Sequence, residues 1–100
     1  MKVADFSFHR LALTMFLQLT SEEQARVREA LESLAAVPVA DWPKATTRRL
    51  PGEDPLYLVR VDDSLRLFVR ASDSPPPEVL DITRQETLDF FAAAAARNGH

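Results

Sequence analysis

No cysteine occurs among the 100 residues, so disulfide cross-links, a thiol nucleophile and a thiolate zinc site are all excluded. A reducing cytoplasm is the expected compartment. Histidine is nearly as scarce: His9 stands beside an N-terminal apolar run and His100 at the opposite end, which gives no basis for a histidine triad or metal cluster. No cofactor is expected. Positive charge is not in excess, since 12 Lys and Arg against 15 Asp and Glu leave a net charge of -3 and a pI near 5.3. That balance disfavours nucleic-acid binding driven by bulk charge. No apolar run is long enough to span a bilayer, and no membrane partner is expected. The longest run, residues 11–19 after Arg10, leads into Thr20, Ser21, Glu22 and Glu23 without a small-residue cleavage site. It is expected to be a core helix rather than a signal peptide.

What is present is ordinary globular composition, 46% apolar and 27% charged, in a chain with room for one core. A single domain over residues 1–100 is expected, with no repeat or low-complexity array. Residues 2–8 alternate weakly and suit a first strand. Phe8, Leu11, Met15 and Leu19 share one helical face. Thr20 with Glu23, or Ser21 with Gln24, has the spacing of a capping box and opens a second helix. Its stripe of Val27, Leu31 and Leu34 is apolar, its glutamates are solvated, and it ends before Pro38. Trp42, between Pro38 and Pro43, can plug one end of the core.

After Trp42 the period changes from helical to alternating. Residues 46–50 admit a short strand, 51–55 are turn chemistry, and 56–61 are apolar and β-rich. Residues 62–64 form a second turn. Residues 65–70 place Leu65, Leu67 and Val69 on one face and Arg66, Phe68 and Arg70 on the other. Residues 72–77 form a loop, 78–83 a further strand, and 86–97 an alanine-rich helix in which Phe90 and Phe91 anchor the helix to the sheet. Leaving out the short segment 46–50, the expected order is β-α-α-β-β-β-α.

Several of these segments, taken in order, resemble the RelE/ParE superfamily of bacterial type II toxin-antitoxin toxins. They are Arg49-Leu50-Pro51-Gly52, residues 55–61, Leu65-Arg66-Leu67-Phe68, and Val79-Leu80-Asp81-Ile82-Thr83-Arg84 followed by a helix. The resemblance implies an α+β fold: two N-terminal helices packed on one face of a small antiparallel sheet, a C-terminal helix, and a free concave face used for function. It implies a cognate antitoxin as partner. It also implies a target, first the ribosome and mRNA for a ribosome-dependent mRNA interferase; the alternative is a non-enzymatic protein of the same fold, either a ParE-like poison of DNA gyrase that cleaves no RNA or an inactive toxin homologue. Arg66 and Arg84 fall where the family's strand arginines stand, and there they would hold phosphates and stabilise phosphoryl-transfer charge.

Departures from the ribonuclease pattern are specific. Leu56 and Leu58 replace lysines, and Phe90 replaces a tyrosine, so neither a proton donor nor a phosphate counter-charge is supplied there. Tyr57 has the opposite strand parity and is expected on the helix-packed side.

Arg60, Arg70, Arg48, Arg49 and Phe90 are the candidate RNA or target contacts. Each arginine also has a structural reading: Arg60 can pair with Asp62 or Asp63, and Arg48 and Arg49 with solvent. Charge is unevenly distributed. Residues 44–70 hold six basic against four acidic residues, while the segments on either side are acidic. A locally basic sheet can receive a phosphate or an acidic peptide although the whole protein is anionic. Leu56, Leu58 and Phe68 on the same face suit an apolar partner segment.

Overall fold

In the computed structural model, which describes residues 2–71 and 76–98, the chain opens with a two-residue hairpin. It joins β1 (Lys2–Val3) to β2 (Phe6–Phe8). The expected single strand over residues 2–8 is thus two, because Ala4 and Asp5 both take positive φ, 52° and 68°. Positive φ at both central positions is type I′ geometry, whose favoured residues are Asn and Gly. Ala and Asp hold it under strain. Ala4→Asn with Asp5→Gly is therefore expected to stabilise the domain by about 0.5–1 kcal/mol. The check is the thermal midpoint, which should rise by a few degrees; a fall would mean that the two side chains contribute more than the strain costs.

α1 (Arg10–Gln18) is capped by His9, whose Nδ1 accepts from the Leu11 N–H at 3.2 Å. α2 (Ser21–Ala35) begins with the Thr20–Glu23 capping box, so the first of the two expected pairs forms. Thr20 Oγ1 accepts from Glu23 N–H at 3.2 Å, and Glu23 Oε1 accepts from Thr20 N–H at 3.1 Å. Gln24 instead ties the helices together, donating to the Phe16 carbonyl at 2.9 Å. A 3-10 turn (Val39–Asp41) then delivers Trp42 into the core, 6% exposed, as expected.

Four further strands follow: β3 (Thr47–Arg49), β4 (Leu56–Arg60), β5 (Leu65–Arg70) and β6 (Glu78–Arg84). α3 (Gln85–Asn98) ends the described chain. Of the expected loop at 72–77, residues 72–75 lie outside the described residues, as does His100. The six strands make one sheet in the order β1-β2-β6-β5-β4-β3.

The class is α+β, but the sheet is mixed rather than antiparallel. β2 runs parallel to β6, with Phe8 beside Val79. This pairing joins segments some seventy residues apart, and hydrophobic alternation carries no information about partner or direction over such a distance. One face of the sheet meets the two N-terminal helices. There Phe6, Leu67, Val69, Val79 and Ile82 pack with Phe16, Val27 and Leu31, all 2% exposed or less. Among the described residues, no helix packs across the other, open face.

A bulge in β6 sets which residues reach that open face. Phe68 is paired with Asp81 and Val69 with Val79, so Leu80 is an extra residue and the parity of everything after it is reversed. Val79 and Ile82, three apart, therefore both lie in the core. Asp81 and Thr83 fall on the open face, and Arg84, opposite Leu65, falls on the helix-packed side.

Candidate functional site: a basic cluster on the open sheet face

The open face is built from adjacent rows. Arg60 on β4 stands directly opposite Arg66 on β5, which in turn stands opposite Thr83 on β6. In the next row Arg48 on β3 is paired with Leu58, and Leu58 with Phe68. Lys44, from the loop before β3, joins Arg48, Arg60, Arg66 and Leu58 around one shallow cavity. Four cations thus surround an aliphatic floor.

Like charges directly opposite one another destabilise an antiparallel pair. The tight turn after β4 offsets part of this. Arg60 pairs with the Asp63 carboxylate, and Arg66 donates to the backbone carbonyls of Asp62 and, at 3.0 Å, of Leu65. Carbonyls are neutral, so the charge of Arg66 is not cancelled. Among the described residues, Lys44, Arg48 and Arg66 have no carboxylate within ion-pair distance. Such a cluster is suited to an anion, held by charge-assisted hydrogen bonds from planar guanidinium forks.

Proton transfer is poorly provided for. Glu78 pairs with Arg70 at 3.7 Å, Asp63 with Arg60, and Asp81 accepts from the N–H of Ile82 at 2.8 Å. Tyr57 lies on the helix-packed side as expected, its ring 5.2 Å from that of Trp42. His9 caps α1, away from the cluster. The arrangement can bind and neutralise negative charge, and among the described residues what it offers beside the cluster is the hydroxyls of Thr46, Thr47 and Thr83 and carboxylates already engaged.

The candidate residues therefore separate into groups. Arg48, Arg60 and Arg66 come together, joined by Lys44, whose only signal in the sequence is its share of the local positive charge. Arg70 lies on the same face, four residues along β5 from Arg66. That is about 14 Å away at 3.4 Å per residue.

Arg49 is opposite Tyr57, on the helix side. It donates to the carbonyls of Gly52 and Asp54 at 3.4 and 3.3 Å and lies 5.9 Å from the Tyr57 ring, clamping the 50–55 loop. Arg84 is not beside Arg66, because the β6 bulge sends it to α2. There it pairs with Glu23 at 2.9 Å and with the Ser64 hydroxyl at 3.2 Å. Phe90 is on α3, 64% exposed, and Phe91 is 62% exposed, so neither anchors α3 to the sheet as the sequence suggested.

No protein-family model, curated protein or solved structure matches the chain.

Two carboxylates on the helix-packed side and in the β4–β5 turn are structural. The Glu23 carboxyl is held below the usual range, first by the hydrogen bond from Arg84 and then by the Thr20 N–H, and Glu23 raises Arg84 in return. Burial acts to raise the Asp62 carboxyl. The N–H groups of Leu65 and Ser64, each at 2.7 Å, and Arg26 at 3.2 Å outweigh it, so this group too lies below its ordinary value.

Both folded-state values are below the unfolded ones. Their stabilisation is complete above about pH 4–5 and is lost as pH falls through the folded values. Glu23→Gln with Asp62→Asn should lower stability at neutral pH and flatten its decline in acid. Urea midpoints at neutral and acidic pH test this; an unchanged acid slope would assign acid sensitivity to other carboxylates.

Proposed function

We propose that the protein is the toxin of a type II toxin-antitoxin pair, RelE/ParE-like in fold. In this reading it acts by binding an anionic target through the open sheet face rather than by cleaving RNA. The observation that carries the reading is the opposed Arg60–Arg66 pair, flanked by Arg48 and Lys44 around Leu58. A structural role does not call for two cations directly opposite, and a function that receives negative charge does. The ordered strand motifs supply the family expectation. That no unengaged carboxylate, histidine or tyrosine stands beside the cluster among the described residues favours the non-enzymatic branch, of which a gyrase poison is the leading case. The antitoxin, in this reading, covers the same face with an acidic segment carrying apolar side chains.

A second reading, ribosome-dependent mRNA cleavage, rests on the same basic cluster. Arg48, Arg60 and Arg66 suit successive backbone phosphates, and the ribosome would then supply the acid and base.

Expression from a tightly controlled promoter, with mRNA end mapping and a gyrase supercoiling assay on purified protein, separates the readings. Growth arrest with inhibited supercoiling and unchanged mRNA ends is the expected result. New ends within translated codons would transfer the assignment to the ribonuclease reading, and harmless overexpression would remove the toxin reading altogether.

A further inference from the structure

Residues 88–96 of α3 contain a single polar side chain, Asp89, among leucine, two phenylalanines and five alanines. A helix apolar around its whole circumference belongs in a covered setting. α3 is not covered. Its contacts are chiefly with β6, and the Phe90 and Phe91 rings meet each other edge to face at 5.6 Å while remaining nearly two-thirds exposed.

Its own sheet cannot cover it. Gln85, the first residue of α3, follows Arg84, the last residue of β6, with no linker. The Gln85 N–H is bonded to the Ser64 carbonyl at 2.7 Å, so the helix leaves the sheet at a fixed point. Folding back would need a reversal of at least a few residues and the loss of that bond.

An open sheet face of a second copy fits instead. The cluster row Arg60–Arg66 lies at the end of the sheet from which α3 departs, since Arg66 is opposite Thr83 and Leu65 opposite Arg84. The row Leu58–Phe68 lies two residues further in, about 7 Å away. On α3, Glu86 precedes Phe90 and Phe91 by four and five residues, about 6–7.5 Å of helix rise. A helix entering a neighbouring face from its basic end therefore sets Glu86 and Asp89 against the arginines as Phe90 and Phe91 reach Leu58 and Phe68.

The charges are complementary as well. α3 has two acids and no cation through residue 96. A two-fold axis at the shared end makes the exchange reciprocal. Four phenylalanine rings of about 150–250 Å² each, with the strand surface they cover, supply roughly 1,000 Å² of the ~1,600 Å² in a standard interface. We infer that the protein forms a symmetric dimer in which α3 of each copy lies across the open sheet face of the other and covers its basic cluster. Any anionic target then competes with dimerisation. This goes beyond the proposed toxin role and is measured without reference to toxicity.

The experiment is light scattering on the eluting full chain at tens of micromolar. The unaltered protein should run at twice its 11.2 kDa chain mass. Phe90→Asp with Phe91→Asp should weaken the dimer by about a hundredfold or more, with far-UV circular dichroism unchanged because both side chains are exposed. Two charge reversals complete the test. Glu86→Arg with Asp89→Arg, and separately Arg48→Glu with Arg60→Glu, should each give monomers, and mixing the two variants should restore a dimer in which both arms are complementary. A monomeric unaltered protein overturns the inference. So does a dimer that survives reversal of the face charges, which would be paired helix to helix, or a mixture that stays monomeric.

Discussion

On the proposed toxin role, replacing Arg60 and Arg66 together with glutamine is expected to abolish growth arrest while leaving the protein folded. Hydrogen bonds to charged groups contribute about 1.5–3 kcal/mol each, so losing two weakens an anionic target by roughly a hundredfold or more. Stability behaves differently. The Arg60–Asp63 pair is exposed and contributes at most about 1 kcal/mol. The change also removes two like charges placed directly opposite one another, a repulsion of roughly 0.2–1 kcal/mol by the scale of such pairs. Arg66 also gives up its bonds to the Asp62 and Leu65 carbonyls, about 0.5–1.5 kcal/mol each and kept in part by the glutamine amide, so net stability should fall by no more than about 2 kcal/mol.

Inorganic phosphate gives a readout independent of cells. At ten times its Kd it should stabilise the unaltered protein by about 1.4 kcal/mol and leave the double variant unmoved. Arg84→Gln should show the converse. It cuts the link between β6 and the α2 capping box, lowering the thermal midpoint, and leaves the phosphate response intact. If the Arg60/Arg66 variant arrests growth as well as the unaltered chain does, the open face is not the functional surface. If it unfolds, the two arginines are structural.

The contrast between Arg66 and Arg84 shows where the sequence stops being informative. Arg66 is the second residue of β5 and Arg84 the last of β6, and both fall where the resemblance expects strand arginines, so the sequence places them together. What separates them is Leu80, one residue that bulges out of the β6 ladder and reverses every side chain after it. A bulge of this kind has no glycine to announce it. Where local chemistry suffices, the reading carries through: the Thr20–Glu23 box, the strict alternation of β5, Tyr57 on the helix side and Trp42 in the core are all decided within a few residues. The parallel β2–β6 pair, the strained Ala4–Asp5 turn and the exposed Phe90 depend on partners chosen across the chain, or on their absence. For the candidate site, the local excess of cations in residues 44–70 was legible. The grouping of Lys44, Arg48, Arg60 and Arg66 was not, because it depends on the β3–β4–β5 register.

Trp42→Ala is expected to cost about 3–5 kcal/mol, the range for truncating a large buried aromatic, and to lower the thermal midpoint by well over 10 °C. The indole closes one end of the core and joins three elements there. Its ring lies 6.2 Å from that of Phe6 on β2 and 5.2 Å from that of Tyr57 on β4. Its Nε1–H donates at 3.1 Å to the Leu34 carbonyl, one of the final-turn acceptors that α2 itself leaves without an intrahelical donor.

Two features set the size of the effect. A shallow depression already reaches the indole between Phe6, Val37 and Pro77, so water can enter the truncated site, which holds the cost toward the lower end. Total stability for a domain of this size is about 5–15 kcal/mol, so even that cost removes a large fraction of it. Trp42→Phe divides the contributions: it keeps an aromatic plug and loses the hydrogen bond, and should cost about 1–2 kcal/mol. Because Trp42 is the only tryptophan, unfolding must be followed by circular dichroism rather than fluorescence. If Trp42→Phe is as damaging as Trp42→Ala, the bond to Leu34 governs this end of the core. A cost below about 1 kcal/mol for Trp42→Ala would mean that the helices and sheet close without the plug.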